Sequence, residues 1–592
     1  MSPGPRYLAR QLPRLLLPPT LVYILYRAIG GKSRYSASPL ILTFLFVLSY
    51  PVSLAIFVQW KRYTICHQAA TLGAVLPPTV KHKWIGGIDL IVTVSRNFEK
   101  YFLVDWLFKW SAEYGHTFAR EVLFERRLFT SEPEHIKSIL STNFHAFEKG
   151  STFRGQLGSL LGTGVFNSDG IALFHSRSMT RPFFTKERIS HFDIFDRNAD
   201  AAFALMKARF REGHSIDWQD LVLRFTLDSA TEFLFGNNVC SLAAGLPYPP
   251  ASAPATAPTR AAADGFGVAF KRAQFQTLMR MRFGSTWPLF EFWGDKVHGA
   301  MRDVDAFVDP IVQRAVEAHE AAKGADAGQS KGDRDHETLL GHLVGLTDDP
   351  QILKDETLNI LIAGRDTTAA ALTFAVYSLA RHPDVLRRLR REVLDCVGTV
   401  RRLEYEDFKK MKYLRAVINE TLRLYPPLIC NDRYTTEAVL WPSRDPGGKP
   451  LYIPAKTRIQ YSVFVMHRRK DLWGPDALSF DPDRFLDERM QKYLIPNPFI
   501  FLPFNAGPRV CLGQQFAYNE VSFMLVRLLQ QFETIELTPR TCPDSIPPPT
   551  FTDSIGCDGT ETAWVSSHLT IFAKNGLWLK MCEAPFVDMS SL

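Results

Sequence analysis

A mainly α-helical fold with small β-sheets, tethered by an N-terminal membrane segment, is what this sequence predicts, and three observations predict it. Apolar residues recur at helical spacing through most of the chain. Only short stretches, such as residues 118–124 and 457–465, have strand character. Residues 40–58 form an apolar run of 19 without a charge, close to the roughly 20 residues a helix needs to cross a hydrocarbon core.

Lys61 and Arg62 close that run. A shorter apolar stretch, residues 15–29, is interrupted by Pro18 and Pro19 and carries Arg27, so it is a candidate second span, hairpin partner or interfacial segment. The pattern fits a retained anchor better than a cleaved signal peptide. Arg6, Arg10 and Arg14 on one side balance Lys32 and Arg34 in the loop, which leaves orientation open. Leu76-Pro77-Pro78 makes a stiff exit. The expected division is therefore an anchor region over residues 1–76 and one large unit over residues 77–592, with low-complexity surface inserts near 241–264 and 321–335.

Composition narrows the function. The chain has 592 residues, 46% hydrophobic and 22% charged, which excludes a disordered tail, a fibre or a disulfide miniprotein. The net charge of +8 is scattered, so no nucleic-acid partner is expected; a mild basic excess suits anionic lipid or an acidic redox partner. Eight cysteines show no CxxC pair, which argues against a zinc ribbon and predicts reduced thiols.

One cysteine stands apart. Phe504-Asn505-Ala506-Gly507-Pro508-Arg509-Val510-Cys511-Leu512-Gly513 leads into a strong helix pattern, placing Cys511 near a helix N-terminus, where the dipole and free N–H groups favour a thiolate. Gly507 permits a backbone conformation closed to side chains, Gly513 clears space for a flat ligand, and Arg509 is placed to meet a carboxylate. An isolated cysteine is more often a buried structural residue; here its loop decides otherwise. With Phe at minus seven, Gly at minus four, Arg at minus two and Gly at plus two, the segment resembles the haem-ligand signature of the cytochrome P450 monooxygenases.

That resemblance implies the cytochrome P450 fold behind a membrane anchor, and a haem b (iron protoporphyrin IX) with the Cys511 thiolate as axial iron ligand. It further implies that Phe504 packs near the sulfur and that Arg509 pairs with a haem propionate. Upstream, Ala363-Gly364-Arg365-Asp366-Thr367-Thr368 resembles the family's oxygen-binding groove. There Ala363 and Gly364 allow close approach to haem, and Asp366 and Thr367 are the acid and alcohol that pass protons. Read alone, Thr367 would simply bond back to the carbonyl of Ala363. Because residue 363 is Ala rather than Glu, haem is expected to be held without an ester link.

Glu420 and Arg423 stand three residues apart in a helix that stops at Pro426-Pro427, and resemble the family's buried E-x-x-R pair, joined by Arg484 of Phe480-Asp481-Pro482-Asp483-Arg484-Phe485. Their implied role is structural support of the pocket. Arg177 and Arg433 match two further propionate-binding positions. Leu173 departs from the pattern, since the family commonly has a Trp there, and Leu has no indole N–H to donate.

Residues 228–236 and 574–578 resemble the fungal branch that hydroxylates alkanes and fatty acids. Residues 266–293, rich in Phe and Trp, are the expected lid over a substrate channel, with Lys271, Arg272, Arg280 or Arg282 as candidates to hold a carboxylate. No nucleotide-binding fingerprint is present, so electrons must arrive from another protein. The resemblance implies NADPH-cytochrome P450 reductase, with cytochrome b5 as a further candidate donor. The expected protein is an endoplasmic-reticulum membrane monooxygenase, its catalytic unit facing the cytoplasm, that inserts one oxygen atom into a C–H bond of a lipophilic substrate. Two rivals are a haem-thiolate isomerase or dehydratase, and a non-catalytic membrane haem-binding protein.

Overall fold

The computed structural model describes residues 2–30, 38–184, 192–250, 252, 265–324 and 338–585. Lys32 and Arg34, residues 253–264 of the first insert and residues 325–335 of the second lie outside them.

Two long helices open the chain, α1 (Pro3–Gly30) and α2 (Pro39–Thr71). The Ser38 hydroxyl accepts from Leu40 N–H and Pro39 occupies the first helical position, a strong start signal for α2. Among the described residues, α2 alone is long and apolar enough to cross a membrane. It outruns the uncharged stretch, because nothing in residues 59–71 breaks a helix. Beyond Pro77-Pro78 the chain is fastened to the body: Val80 N donates to Ala119 O at 2.8 Å and Ala119 N to Pro78 O at 2.7 Å.

The body is helical with twelve short strands among the described residues. Strands β1 (Thr117–Val122), β2 (Glu125–Thr130), β3 (Phe147–Glu148), β5 (Asn431–Thr435) and β8 (Arg458–Tyr461) form a sheet in the order β1-β2-β8-β5-β3. β4 (Ile216–Asp217), β12 (Trp578–Glu583) and β9 (Phe532–Leu537) make a second, with β12 central; β6 (Val439–Trp441) pairs β7 (Leu451–Ile453), and β10 (Val565–Ser567) pairs β11 (Ile571–Ala573). The expected strand at 457–465 ends at Tyr461, because the Ser462 hydroxyl accepts from Val465 N–H and caps a helical turn over Val463–Met466.

Seven more helices build the site: α3 (Ile88–Lys100), α4 (Gly150–Leu161), α5 (Gly170–Thr180), α6 (Trp218–Phe235), α7 (Gly265–Phe283), α8 (Lys296–Gly324) and α9 (Pro350–Arg381). Two others complete it, α10 (Lys412–Leu424) and α11 (Gln514–Gln531). Asp349 caps α9 by accepting from Gln351 and Ile352 N–H, and Pro383 ends it. α6, α9, α10 and α11 share one apolar core that includes Trp218, Phe374, Leu422 and Met524.

Candidate active site

The loop before α11 is pinned at both ends. Cys511 N–H donates to Phe504 O at 3.0 Å, and Tyr461 OH donates to Asn505 Oδ1 at 3.0 Å. Gly507 has φ +64°, and a Cβ there would lie 1.9 Å from Leu140 O, so the position accepts only glycine. Gly513 is the N-cap residue of α11. Cys511 is exposed, yet the protein around it desolvates its thiol and pushes its pKa up, against the opposing pull of the Gly513 N–H and the Arg177 charge. A side chain both accessible and desolvated lines a concavity. The Phe504 ring stands 5.1 Å from that of Tyr518 behind the loop.

A chain of hydrogen bonds ties this loop to α10. Glu420 and Arg423 are fully buried and pair bidentately, with Arg423 Nε 2.7 Å from Glu420 Oε2 and Nη2 2.8 Å from Oε1. Arg423 also donates to His467 O at 2.7 Å and Ala477 O at 2.6 Å. Arg484 Nε lies 3.6 Å from Glu420 Oε1, and its Nη2 meets Asp476 Oδ2 at 2.9 Å. The three residues thus converge, and His467, which sequence reasoning missed, joins them to the loop. Its Nδ1 is 3.2 Å from Arg423 O, while its Nε2 accepts from Leu502 N–H at 3.0 Å. Burial and the Arg423 charge depress its pKa to about 3, so the ring is neutral. Only the buried setting reveals it, since its sequence neighbourhood is unremarkable.

Cations gather on the other side of Cys511. Arg177 Nη2 donates to Val510 O at 2.9 Å; Arg509 Nη2 donates to Ser168 O at 2.9 Å and to Asp169 Oδ1 at 2.6 Å. Arg433 is buried on β5 and donates to Asp432 O at 2.8 Å. Lys149 was also missed in sequence. It is buried over the Phe153 ring, and desolvation together with the charges of Arg433 and Arg509 holds its pKa well down. Asp432 is already engaged by Arg458 at 3.0 Å, so positive charge outweighs negative here. Leu173 is buried against Phe144 and Val165, filling apolar volume beside this cluster.

Between residues 355 and 379, α9 has one opening. Every position in that stretch is buried except Ile362, Ala363, Gly364 and Thr367, and the last three share a face at helical spacing. Thr367 Oγ1 donates to Ala363 O at 2.5 Å. Asp366 is buried and off that face: Gln274 Nε2 of α7 donates to its Oδ2 at 2.5 Å and Arg365 Nη1 to its Oδ1 at 3.1 Å. On the same helix, Thr368 meets Glu520 of α11, a buried carboxyl whose pKa desolvation drives well up. Among the four cationic candidates of the lid, Arg280 is committed elsewhere, its Nη2 2.6 Å from Glu291 and 2.5 Å from Asp295. Its burial removes it from any channel mouth.

The family model described as cytochrome P450 matches residues 90–555. The chain belongs to the cytochrome P450 family. Among its relatives, a cytochrome P450 monooxygenase named g430 from a Fusarium species is 35% identical over 470 residues, covering 78% of this chain and 79% of that one. Cytochrome P450 52A5 of Candida maltosa is 34% identical over 505 residues, 83% of this chain and 91% of its own. Cytochrome P450 52A3-B of the same yeast is 35% identical over 520 residues, covering 85% and 93%.

Membership of this P450 family makes the chain a haem-thiolate monooxygenase that takes a lipophilic substrate and draws electrons from a redox partner. The residues present fit the group. Among the described residues the buried Nε of Arg509 has no acceptor, and the surplus of cations around it suits an anionic ligand edge. The accessible, desolvated sulfur of Cys511 and the small residues Ala363 and Gly364 provide an open face on either side.

Proposed function

We propose that this P450 hydroxylates long-chain fatty acids or alkanes with electrons from NADPH, delivered by NADPH-cytochrome P450 reductase with cytochrome b5 as an auxiliary donor. In this reading residues 1–76 anchor the protein in the endoplasmic-reticulum membrane, and the unit from residue 77 faces the cytoplasm.

When bound, haem supplies the activation of dioxygen. Cys511 is its proposed iron ligand, and Phe504, Gly507 and Gly513 shape the sulfur's surroundings. Arg177, Arg433, Arg509 and Lys149 hold the carboxylates at its edge. Glu420, Arg423 and Arg484 keep the loop from spreading. The opening at Ala363, Gly364 and Thr367 carries the reading: it is the break in the buried surface of α9, and it places one hydroxyl beside two small residues. Thr367 would give up its bond to Ala363 O to donate into the opening, and Asp366, on leaving Gln274 and Arg365, would take a proton from solvent and pass it to the Thr367 hydroxyl through intervening water. The long aromatic lid, whose Leu289, Phe290 and Trp293 are exposed, admits apolar chains from lipid.

Reconstitution tests this. Protein purified in lipid vesicles with the reductase should give a thiolate-type Soret band on reduction with carbon monoxide, and consume NADPH and dioxygen with formation of hydroxylated hexadecanoate or hexadecane. Rearrangement of a peroxide without reductase would favour the isomerase instead.

A further inference from the structure

Two cations on α7, Lys271 and Arg282, lie within electrostatic range of a histidine from a distant stretch of sequence, His568. α7 presents Lys271, Phe275, Leu278 and Arg282 along one face, at spacings of four, three and four. Against that face lies the hairpin of β10 and β11. The ring of His568 at its tip stacks on Phe572 at 4.4 Å and meets Phe275 edge-on at 5.8 Å. Lys271 Nζ sits 5.2 Å from the Phe572 ring. Burial depresses the His568 pKa to about 4, and the charges of Lys271 and Arg282 push in the same direction.

The position relates this cluster to the site. Gln274, between Lys271 and Phe275 in sequence, is the residue that reaches Asp366. At the other edge of the hairpin, Ile571 N–H donates to Pro427 O at 3.0 Å, four residues before β5 and its Arg433. Leu569 packs on the apolar cluster that contains Leu361 of α9. Ile362, at the edge of the α9 opening, packs on the same cluster, which sets the hairpin tip and the opening on one apolar body.

We propose that Lys271, Arg282 and His568 form the seat for the carboxylate end of a long-chain acid, so that the enzyme distinguishes fatty acids from alkanes. The proposal rests on the oxidation of fatty chains put forward above and adds the residues that read the polar end. Two cations draw the head group, and the neutral imidazole offers an N–H; among the described residues its buried Nδ1 has no partner. Phe275 and Phe572 flank the seat and give the first methylene groups an apolar surface. Arg280, locked by Glu291 and Asp295, does not compete for the substrate, and Arg272 lies outside this face. Glu99 of α3 acts on Arg282 through its charge and tempers the seat.

The test uses full-length, haem-loaded protein in vesicles with reductase, and compares hexadecanoate, its methyl ester and hexadecane by spectral binding titration and turnover. The double variant Lys271→Gln/Arg282→Gln should weaken hexadecanoate about tenfold or more while leaving ester and alkane within about twofold. Glu99→Gln should tighten hexadecanoate, a gain that damage to the fold cannot mimic. Equal loss for acid and alkane, or no loss for either, overturns the seat. Lack of product from every substrate with the unaltered protein would instead sink the underlying reading of fatty-chain oxidation.

Discussion

In the network that holds the Cys511 loop to α10, apart from the cation cluster of Arg509, Arg423 makes five hydrogen bonds to protein atoms, and His467 uses both ring nitrogens. Across the opening of α9, Phe275 and Lys271 are exposed, Thr367 bonds only to its own helix, and His568 leaves a nitrogen unbonded among the described residues. The first region fixes an atom in place; the second keeps polar groups ready to change partners. Saturated networks tolerate little alteration, because each removal strands a buried charge or N–H, whereas the open side tolerates change and alters selectivity.

The largest expected effect is on the saturated side. Cys511→Ala should abolish the thiolate-type carbon monoxide band and all hydroxylation, and persistence of that band would undo the assignment of the sulfur. Glu420→Ala leaves Arg423 buried without its carboxylate. It should destabilise the protein by about 3–5 kcal/mol and reduce haem content, read by denaturant titration and by pigment per protein. On the open side, Thr367→Ala should leave folding and haem content unchanged. It should lower hydroxylated product per NADPH roughly tenfold, with peroxide released in its place. An equal loss of stability in both variants would erase the contrast between the two regions.

Much of the Cys511 side could be read from sequence because its spacings are local: Phe504, Gly507, Arg509 and Cys511 lie in one loop, and Glu420 and Arg423 on one turn. The strand-rich stretches, the anchor helix and the helix stop at Pro426-Pro427 were legible for the same reason. Lys149 and His467 were not, since their significance arises from burial against other segments, hundreds of residues away for Lys149 and some tens for His467. Arg280 shows the converse. In sequence it is one of four cations in a lid, and only its contact with Glu291 and Asp295 withdraws it. Leu173 looked like a missing donor, whereas the fold uses it as packing against Phe144 and Val165.

His467 makes the saturated side sensitive to acid. Its folded pKa of about 3 lies below the ordinary histidine value of 6.5, so the unfolded chain binds the proton first. The stabilisation is fully present above pH 6.5 and is lost as pH falls toward the folded value, at up to about 1.4 kcal/mol per pH unit from this residue. His116 and His568, each depressed to about 4, add to the same slope. Denaturation midpoints at pH 7 and 5.5 should differ, and His467→Gln should flatten the difference; an unchanged slope would mean that burial does not hold this ring neutral in the folded protein.

The smallest effect separates packing from ligand binding at Leu173. If the position simply lacked a donor, Leu173→Trp would tighten haem, as one added hydrogen bond contributes about 0.5–1.5 kcal/mol. The site is filled, however: Leu173 is 1% exposed and touches Phe144, whose ring centroid lies 6.0 Å from the Arg509 guanidinium. An indole there overpacks the core, at a cost of about 1–3 kcal/mol, and pushes Phe144 toward Arg509. The expected outcome is a lower denaturation midpoint with haem dissociation no slower than in the unaltered protein. Slower haem loss in apomyoglobin capture, with stability retained, would show that the cation cluster has room for a further donor and that packing does not dictate residue 173.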